Sequence, residues 1–564
     1  MQTQHPAWWQ DEVIYEIYPR SFNDSNGDGV GDLPGITAKL DYLQHLGVTL
    51  LWIAPFYRSP MVDMGYDIAD YQAVDPLFGT LADLHELIRA ARKRGLKVML
   101  DLVANHTSDQ HPWFQAALAD PTSPYRKYYI FKTTTTGQPP NNWRGIFGGS
   151  TWTPVPNEPG TYYFHTFTAE QPDLNWENPA LRSEMYRIIN WWLAQGIAGF
   201  RLDAITHLKK DQDWASLPAD GPDGLVSVTN KGLNRPGLGT FLREMRDATF
   251  ARVDAVTIGE AAGVGDDQLG EFVGPNGYFS LIFDFSYLNL DVADANQWEE
   301  PRPWSVKQLA TTIFASQTAM QQAGGKFANV LENHDQNRAL SKFVPNPAER
   351  TPMAAKALAT LYFFLAGVPV IYQGQELGMQ NFQRTKIADF NDVSSLNNYY
   401  RLLAAGNSPA TALAIVNWRS RDNARVPMQW DETATGGFTT GTPWLQMGIV
   451  RRGISVQTEA ADPTSVLNYY RRLIRVWRSP TQRKVLRTGA LLPVATGSDS
   501  VIAYRRRQAD QCLLVLVNLS QQVVTSQSSY RGRVVLDNYT VAPPTTTQTI
   551  TKLQPYQALV LWEL

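Results

Sequence analysis

The sequence has little of several features that would place a protein in a special class. Its 564 residues include one cysteine, Cys512, so an internal disulfide framework is excluded, as is typical of a reducing compartment. Basic and acidic residues nearly balance at 50 and 53, and the net charge of -3 gives no sign of a nucleic-acid partner. The N-terminal stretch lacks a basic segment followed by an apolar run, so no secretory signal is indicated and we expect a cytoplasmic protein.

The chain also lacks a long unbroken apolar run. Its longest uncharged window, residues 357–375, approaches the length of a membrane span, but the segment AGVPV (366–370) interrupts it. A buried helix followed by a strand explains this window better. We therefore predict that the protein does not span a membrane.

What the sequence does contain is a recurring alternation. Short apolar runs rich in β-branched and aromatic residues are separated by amphipathic segments of helix length, the pattern of parallel strands joined by crossover helices. Eight such runs predict an α/β fold with a closed (β/α)8 TIM barrel. They cover residues 13–20, 49–56, 97–106, 198–203, 255–260, 280–285, 328–335 and 368–376.

Two of the crossover helices carry clear boundary signals. One is predicted to begin after Thr80 and to stop at Gly95, and the other has Asn178 as its N-cap and Gly196 beyond its end. Each of them precedes a predicted strand, as a crossover helix should.

Three stretches do not follow the alternation. Residues 107–177 are too long for a simple connection, and their short alternating segments predict a small inserted domain after the third strand. A second insertion, about 377–455, follows the eighth strand. From about 485 the pattern alternates without a helical period, which predicts a C-terminal antiparallel β-sandwich over 485–564. The barrel would then comprise residues 1–106 and 178–484.

Several predicted strands end in acidic residues. The C-terminal ends of the strands of a parallel barrel form one rim, where active sites lie, so Asp203, Glu260 and Asp335 can share a pocket. Retaining glycoside hydrolysis uses one carboxylate as nucleophile and one carboxyl group as acid and then base, and a third carboxylate can hold sugar hydroxyls. A single acid at a strand end is more often solvated or a helix cap, so the inference rests on the joint pattern.

Sequence neighbours suggest the roles of these acids. Arg201 lies two residues before Asp203 on the same strand face, and a guanidinium favours the ionised carboxylate that a nucleophile requires. Glu260 has no basic residue nearby in the sequence, so its pKa is free to be raised, as a general acid requires. Neutral imidazoles at His106 and His334 would suit the recognition of sugar hydroxyls.

At these residues the chain resembles the α-amylase family of glycoside hydrolases, specifically its oligo-1,6-glucosidase and α-glucosidase branch, over nearly its whole length. The matching segments are DLVANH (101–106), QPDLNW (171–176), GFRLDAITH (199–207), TIGEAAG (257–263), LENHDQNR (331–338) and SRDNARVPMQWD (420–431). The resemblance implies the same barrel, inserted domain and C-terminal β-sandwich. It also implies Asp203 as nucleophile, Glu260 as acid/base and Asp335 as transition-state stabiliser.

The resemblance further implies how a substrate is held. A terminal glucose unit of a short oligosaccharide would be bound in a pocket whose far end is closed by Asp63 and Arg425, which makes the enzyme exo-acting. The implied substrate-binding residues are Asp63, Tyr66, His106, Phe147, Phe167, Gln171, Arg201, His334 and Arg425. No organic cofactor is expected, and the protein could be a monomer or a dimer.

Three positions depart from the pattern of the resembling family. Asn337 stands where proline is common, and Val426 stands where threonine is common. Ala204 follows the nucleophile, where valine accompanies α-1,6 preference and threonine accompanies α-1,4 preference. The GEAAGV context (259–264) is closer to that of maltose-acting relatives, so we expect α-1,4 activity, with α-1,6 oligosaccharides as the alternative.

The segment DSNGDGVGD (24–32) places carboxylates at alternating positions among glycines, a spacing that lets a tight loop direct oxygens inward. Gly35 occupies the twelfth position, where an EF-hand has a glutamate, so the segment is not an EF-hand. Members of the resembling family carry a similar loop that binds Ca²⁺ structurally, and a metal-free loop of Asx turns is the alternative. The predicted ligands are Asp24, Asn26, Asp28, Val30 and Asp32.

Two other functions are weighed against hydrolysis. Sucrose isomerases and trehalose synthases transfer the glucosyl unit to a sugar, but sucrose isomerases carry an RLDR segment after the sixth strand, where this chain reads SYLNLDVADANQWEE (286–300). A non-catalytic relative, such as the heavy chain of an amino-acid transporter, would lack the catalytic acids and carry a membrane helix. This chain has all three acids and no such helix, so we expect an enzyme.

Overall fold

The computed structural model describes residues 7–221, 223–292, 301–447, 453–544 and 546–563. A closed barrel of eight parallel strands lies at its centre, and each predicted apolar run overlaps one of these strands. The described strands are, in chain order, β1 (Ile14–Ile17), β2 (Leu50–Ile53), β3 (Tyr57–Arg58), β4 (Asp70–Val74), β5 (Lys97–Val103), β6 (Phe131–Thr133), β7 (Trp143–Arg144), β8 (Trp152–Pro154), β9 (Thr161–Phe164), β10 (Gly199–Asp203), β11 (Val226–Ser227), β12 (Val256–Gly259), β13 (Leu281–Phe283), β14 (Phe327–Asn329), β15 (Gly367–Tyr372), β16 (Ala490–Pro493), β17 (Val501–Gln508), β18 (Gln511–Asn518), β19 (Val524–Asp537), β20 (Thr547–Leu553) and β21 (Ala558–Glu563).

Around the barrel the strands follow the order β1, β15, β14, β13, β12, β10, β5, β2, and every neighbouring pair is parallel. The α-helices are α1 (Leu33–Ala38), α2 (Leu40–Leu46), α3 (Leu81–Lys93), α4 (Pro112–Ala119), α5 (Pro179–Ala194), α6 (Thr229–Gly232), α7 (Leu238–Ala248), α8 (Leu269–Val273), α9 (Val306–Gln322), α10 (Ala339–Phe343), α11 (Pro352–Phe363), α12 (Val393–Ala404), α13 (Pro409–Arg419), α14 (Val456–Ala461), α15 (Val466–Arg478) and α16 (Pro480–Thr488).

The sequence signals explain these elements. The four residues of β2 are all buried, because helices cover the outside of the barrel and side chains fill its inside. Thr80 and the side chain of Asp83 form a capping box at the start of α3, and Asn178 caps α5 by accepting from the amide of Ala180. Gly95 and Gly196 follow the ends of these helices with left-handed φ angles, as predicted.

The window 357–375 is divided between two elements, as the sequence predicts. Its first half belongs to α11 and its second half to β15. In the part of the chain that the structure describes, no helix combines the length and the apolar character needed to cross a bilayer.

The inserted domain is built around the three-stranded sheet β6–β9–β8. A second, two-stranded sheet pairs β7 with β11, and β11 comes from the loop that follows the fourth barrel strand, β10. Trp143, Trp152 and Phe164 pack there with Trp214 and Val226. This unit therefore extends beyond the predicted bounds of 107–177, because an apolar cluster recruits residues from a loop that is distant in the sequence.

The C-terminal unit is antiparallel, as predicted, but its strands form one sheet instead of two stacked sheets. Their order is β16, β17, β18, β21, β19, β20. The long strand β19 pairs with both β20 and β21 and shifts register in each ladder, so a single sheet can bend and cover two apolar clusters. One face packs towards the barrel, and the other face buries residues such as Leu514, Leu516 and Leu561.

The second insertion contains α12 and α13, and the chain rejoins the barrel domain at α14. Residues 448–452 of the predicted insertion lie outside the described residues. The inserted domain and this second insertion both flank the C-terminal rim of the barrel, where Asn397 of α12 donates a hydrogen bond to the carbonyl of Phe147 at 3.2 Å.

Candidate active site

A cavity of about 250 Å³ opens at the C-terminal ends of the barrel strands. Asp203 is the last residue of β10, Glu260 directly follows β12, and Asp335 lies in the loop after β14. The cavity is lined by Asp63, Tyr66, His106, Ile146, Phe147, Phe167, Asp203, Ala204, Thr206, His207, Glu260, Ala262, Asp335 and Arg421. The structure therefore brings all three predicted catalytic acids to one cavity.

Arg201 lies beneath the cavity and contacts three carboxylates. Its Nη1 is 2.6 Å from Asp203 Oδ1 and 3.0 Å from Asp101 Oδ1, and its Nη2 is 2.6 Å from Glu260 Oε2. The Arg201 side chain is 1% exposed, so its charge is not screened by water. One guanidinium thus holds Asp203 and Glu260 close to each other.

This geometry corrects the argument that assigned roles from sequence neighbours. Arg201 does not favour Asp203 alone, because it binds Glu260 at the same distance. Burial raises the pKa of Asp203 well above its usual value, Arg201 opposes the rise, and the charges of Glu260 and Asp101 add to it. The assignment of nucleophile and acid/base therefore rests on the resemblance and stays a prediction.

The backbone after Asp203 is held in an unusual conformation. Ala204 has a φ of 44°, in the left-handed region that a non-glycine residue rarely adopts. Its amide donates a hydrogen bond of 2.9 Å to Glu260 Oε2. The turn thus links the two catalytic candidates a second time and exposes the Ala204 methyl group to the cavity.

Asp335 is surrounded by positive charge. Its Oδ1 accepts from Arg425 at 2.7 Å and from Arg421 at 3.3 Å, and its Oδ2 lies 3.2 Å from His334 Nε2. Burial alone would raise the pKa of Asp335, but these three cations hold it well below its usual value. Asp335 is therefore an ionised hydrogen-bond acceptor at the cavity.

His334 is not the neutral imidazole that the sequence suggested. Burial lowers its pKa, but the carboxylates of Asp335 and Glu16 outweigh burial and raise it to about 10. Burial lowers the pKa of His106, which favours the neutral ring expected from the sequence. The difference arises from Asp335 and Glu16, and the sequence did not place Glu16, a residue of β1, near His334.

The far end of the cavity is closed by a different arginine from the one predicted. Arg421 Nη2 lies 2.8 Å from Asp63 Oδ1 and 2.7 Å from Asp392 Oδ1, and the guanidinium lies 4.7 Å from the ring centroid of Phe147. Arg425 is fully buried behind Asp335 and bonds to the carbonyl of His334. Arg425 therefore does not close the cavity with Asp63 as predicted, because the turn at 421–423 presents Arg421 to the cavity.

The other predicted binding residues fall into two groups. Tyr66, His106, Phe147 and Phe167 line the cavity. Gln171, Arg201, His334 and Arg425 lie behind the lining residues; Gln171, for example, donates to Asp63 Oδ2 at 3.2 Å. These four can orient the residues that face a substrate.

Asn337 and Val426, the other two residues that differ from the pattern of the resembling family, lie behind the cavity wall. Asn337 accepts hydrogen bonds through its Oδ1 from the side chains of Asn381 and Asn423, at 3.1 and 3.0 Å. Val426 is buried in the apolar core. Neither residue lines the cavity. Asn337 instead holds residues of the second insertion behind the cavity wall, and Val426 packs in the core.

The predicted calcium loop is held by its own hydrogen bonds. Asp24 accepts from the amides of Asn26, Gly27 and Gly29 and from the hydroxyl of Thr439, so each of its oxygens already accepts two bonds. Asp32 accepts from Ser25 and caps α1 through the amide of Gly35.

In the described conformation a calcium ion would have to take the place of some of these hydrogen bonds. The residues that the structure describes hold no group of three or more His, Cys, Asp or Glu side chains arranged for a metal ion. Asx turns of the kind weighed as the alternative account for the contacts at Asn26 and Asp28. The calcium site stays a prediction.

Sequence reasoning missed several residues at or beneath the cavity. Arg421 stands in the same segment as Arg425, and only the fold decides between them. His207 ends a matching segment and was not assigned; its Nδ1 lies 2.8 Å from the carbonyl of Gly232. Glu16 carried a signal that could have been used, since it is a charged residue inside a strand that is buried throughout.

Comparisons with known proteins agree with this geometry. The family described as Alpha amylase, catalytic domain, matches residues 16–488. An oligo-1,6-glucosidase of Parageobacillus thermoglucosidasius is 37% identical over 561 residues, with 98% of each chain covered. A trehalose-6-phosphate hydrolase of Escherichia coli (strain K12) is 40% identical over 561 residues, with 99% of each covered. The crystal structure of isomaltulose synthase from Klebsiella sp. LX3 has a TM-score of 0.92 at 35% identity, covering 99% of this chain and 100% of that one.

Proposed function

The chain belongs to the α-amylase family of glycoside hydrolases, and from this premise we propose that it is a retaining, exo-acting α-glucosidase that releases glucose from short α-glucooligosaccharides. One observation carries the proposal. Asp203 and Glu260 share the guanidinium of Arg201 in a cavity whose far end is closed by Asp63 and Arg421.

The proposed reaction has two steps. Asp203 attacks the anomeric carbon of the terminal glucose, the glycosidic bond breaks, and the leaving oxygen takes the proton of Glu260. Glu260 then accepts a proton from water, whose oxygen attacks the same carbon and frees Asp203. Asp335, kept anionic by its three cations, accepts hydrogen bonds from sugar hydroxyls.

The three acids around Arg201 favour retention of the proton that the first step requires. Asp101, Asp203 and Glu260 would place three negative charges against one guanidinium if all were ionised. Burial, together with the charges of Glu260 and Asp101, raises the pKa of Asp203 and thereby favours one proton shared within the cluster. In the substrate complex that proton has to reside on Glu260, because Asp203 must be ionised to attack.

The closed end of the cavity supports exo action. Arg421 bridges Asp63 and Asp392, and Phe147 packs over its guanidinium. A glucan cannot extend past this barrier, so only the terminal unit lies beyond the scissile bond. Single glucose units are the expected product.

The linkage is part of the proposal. One relative reported above is named an oligo-1,6-glucosidase, and the expected preference for α-1,4 bonds finds no support in the comparisons. Ala204 leaves the cavity free of the larger side chains that accompany either preference in similar enzymes. We therefore propose that α-1,6 and α-1,4 oligosaccharides are both substrates.

A phosphorylated substrate is less well supported, although one relative is named a trehalose-6-phosphate hydrolase. Among the described residues that line the cavity, Arg421 supplies the one cation, and it is neutralised by Asp63, Asp335 and Asp392. A phosphate group would meet no unpaired lysine or arginine there. The proposed substrates are thus unphosphorylated.

Isomerisation is the second candidate, because a solved isomaltulose synthase has nearly the same fold over the whole chain. It would use the same first step, with a sugar instead of water as the acceptor. Incubation with concentrated sucrose separates the two: hydrolysis yields glucose and fructose in equal amounts, whereas isomerisation yields a reducing disaccharide.

The test of the proposal is glucose release from maltose, isomaltose, sucrose, trehalose and trehalose 6-phosphate, measured side by side. We expect release from maltose and isomaltose and the lowest kcat/KM for the phosphorylated sugar. Absence of glucose from every α-glucoside, with a folded protein, would refute the proposal. We also propose a cytoplasmic location, which the single cysteine supports and cell fractionation tests.

A further inference from the structure

Glu16 is a carboxylate in an unexpected place. It lies on β1, whose four residues are all buried, and its side chain is 0% exposed. No residue of β1 lines the catalytic cavity. Burial of a carboxylate is costly unless a specific partner compensates for it, so the partner of Glu16 indicates what the charge does.

The partner is the ring of His334. Glu16 Oε1 lies 2.5 Å from His334 Nδ1 and 3.4 Å from its backbone amide, while Glu16 Oε2 is buried and accepts no hydrogen bond. A glutamine would accept from the same ring nitrogen without the cost of a buried charge. These two hydrogen bonds therefore do not explain why the residue is a carboxylate, and what remains is the action of its negative charge on His334.

The hydrogen-bond directions show the result of that action. His334 Nε2 lies 3.2 Å from Asp335 Oδ2, a carboxylate oxygen that can only accept, so Nε2 carries a proton; the Tyr66 hydroxyl oxygen lies 2.7 Å from the same nitrogen. His334 Nδ1 carries the second proton, because it faces the carboxylate of Glu16. The ring cannot rotate away, since it is stacked between Tyr18 and Tyr66 with centroid distances of 5.9 and 5.4 Å.

We propose that Glu16 is a positioning residue that keeps His334 in its doubly protonated form, so that the imidazolium binds Glu16 through Nδ1 and presents an N–H to Tyr66 and Asp335 through Nε2. A charged donor makes stronger hydrogen bonds than a neutral one. Glu16 thereby acts through His334 on the orientation of Asp335, on the opposite side of the ring, without touching the substrate.

Two carboxylates, Asp335 and Glu16, favour the imidazolium of His334 from opposite sides of its ring. The titratable and charged groups that face Glu16 and His334 are Tyr18, Tyr66, Asp101, Arg201, Asp335, Tyr372 and Arg425. Asp335 also favours the imidazolium, but it is itself shared with Arg421 and Arg425. Without Glu16 the charge of Asp335 alone would oppose the burial of His334, and the ring would lose its second proton at a lower pH.

The test compares Glu16→Gln with the wild-type enzyme over a pH range. We expect the ratio of their kcat/KM values for an aryl α-glucoside to be near one at pH 6 and to fall to about one tenth at pH 9, because only the variant loses the imidazolium there. Glu376→Gln is the matched control: this buried glutamate accepts from Tyr15 and Tyr42 and has no contact with His334. Its ratio should not change with pH.

Each outcome bears on the inference. A ratio for Glu16→Gln that is the same at every pH assigns Glu16 a purely structural role and overturns the proposal. Should the variant not fold, ring ¹⁵N shifts of the wild-type protein decide, with the His334 signal identified as the one missing from His334→Gln. We expect an imidazolium from pH 6 to 9, and titration near the ordinary histidine pKa of about 6.5 would overturn the proposal.

The inference deepens the proposed function and rests on it. If the wild-type enzyme releases no glucose from any α-glucoside, the proposed function fails, while the ¹⁵N measurement still reports the state of His334. If the wild-type enzyme is active and the ratio is flat, only the role of Glu16 fails.

Discussion

Two buried arginines, at opposite ends of the barrel, are satisfied in opposite ways. Arg201, beneath the catalytic cavity, contacts the carboxylates of Asp101, Asp203 and Glu260. Arg506, on β17 of the C-terminal sheet, has none of its hydrogen bonds to a carboxylate. All its guanidinium nitrogens donate instead to backbone carbonyls, those of Phe364, Leu365, Leu486 and Gly489.

The carbonyls around Arg506 explain its role. They belong to the C-terminal ends of α11 and α16, where helix carbonyls lack partners and the helix dipole is negative. Lys326 reaches the carbonyl of Arg487 at the same end of α16. At this end of the barrel, cations complete the hydrogen bonding of the structure.

At the catalytic end of the barrel, acidic side chains outnumber the cation that they contact. Three acids compete for one arginine, and burial together with the charges of Glu260 and Asp101 raises the pKa of Asp203. Such a cluster is less favourable for stability than neutral side chains of similar shape would be, and it persists because the chemistry needs it. Changes at the two ends should therefore separate activity from stability.

The largest effect is expected for Asp203→Asn. We expect kcat for an aryl α-glucoside to fall by at least about 10³-fold because the nucleophile is lost. The melting temperature should rise slightly, because one acid leaves a crowded cluster. Asp213→Asn, which alters an exposed partner of Lys231, should change neither quantity. Ordinary turnover by Asp203→Asn would refute the assignment of the nucleophile.

Arg506→Met should lower stability and leave activity nearly unchanged, the reverse of the effect of Asp203→Asn. It leaves the ends of two helices without donors, and we expect the free energy of unfolding to fall by about 3 kcal/mol, since each orphaned buried carbonyl costs about 1–3 kcal/mol. Below the melting transition, kcat should stay within about twofold of the wild-type value, since Arg506 makes no contact with the cavity. Urea denaturation measures the first quantity and initial rates the second.

The matched control for this substitution is Arg505→Met, the neighbour on the same strand. Arg505 pairs with Glu563 at 2.6 Å and is 34% exposed, so its loss should cost less than about 1 kcal/mol. Equal losses for the two variants would contradict the capping role of Arg506.

Lys326→Met gives a smaller effect whose size depends on pH. Burial, with Arg506 and Arg487 nearby, lowers the pKa of Lys326 to about 7. The unfolded chain therefore binds more protons between pH 7 and the ordinary lysine pKa of about 10.4, and the penalty is full below pH 7 and disappears as pH rises through this window. We expect the variant to be more stable than wild type by about 1–2 kcal/mol at pH 6, with no gain at pH 10.

The matched control is Lys307→Met, at a lysine that is 69% exposed. It should leave stability unchanged at both values of pH. A gain for Lys326→Met that is the same at pH 6 and pH 10 would show that the lysine is not neutral in the folded protein.

The smallest effect concerns the predicted calcium ion. Removal of calcium with a chelator is expected to lower the melting temperature by a few degrees and to leave kcat at moderate temperature unchanged, since the loop contacts Thr439 and no residue of the cavity. Readdition of calcium should restore the melting temperature. An unchanged melting temperature would mean that no calcium ion stabilises the loop and that its Asx turns alone hold it.

The fold was predictable because buried parallel strands are continuous apolar runs, and each of the eight runs is short and bounded by polar residues. The catalytic acids were predictable because strand ends meet at one rim. The single C-terminal sheet was not predictable, since β19 pairs with both β20 and β21 through register shifts that leave no local signal.

The finer contacts of the site depend on pairs that are far apart in the chain. Arg421 and Arg425 are four residues apart, and only the turn that presents Arg421 decides which one meets Asp63. The charge of His334 depends on Glu16, 318 positions away. Residues that are close in the sequence do not reveal such pairs. For Arg201 the sequence suggested Asp203 as the one partner, whereas the fold adds Asp101 and Glu260.

The most direct test of the account is the anomeric configuration of the first glucose released from maltose or isomaltose, followed by ¹H NMR before mutarotation. Two carboxylates on one guanidinium, with Asp203 as nucleophile, predict that α-glucose appears first and β-glucose accumulates only later. Initial release of β-glucose would mean direct attack by water, and would contradict the covalent role assigned to Asp203.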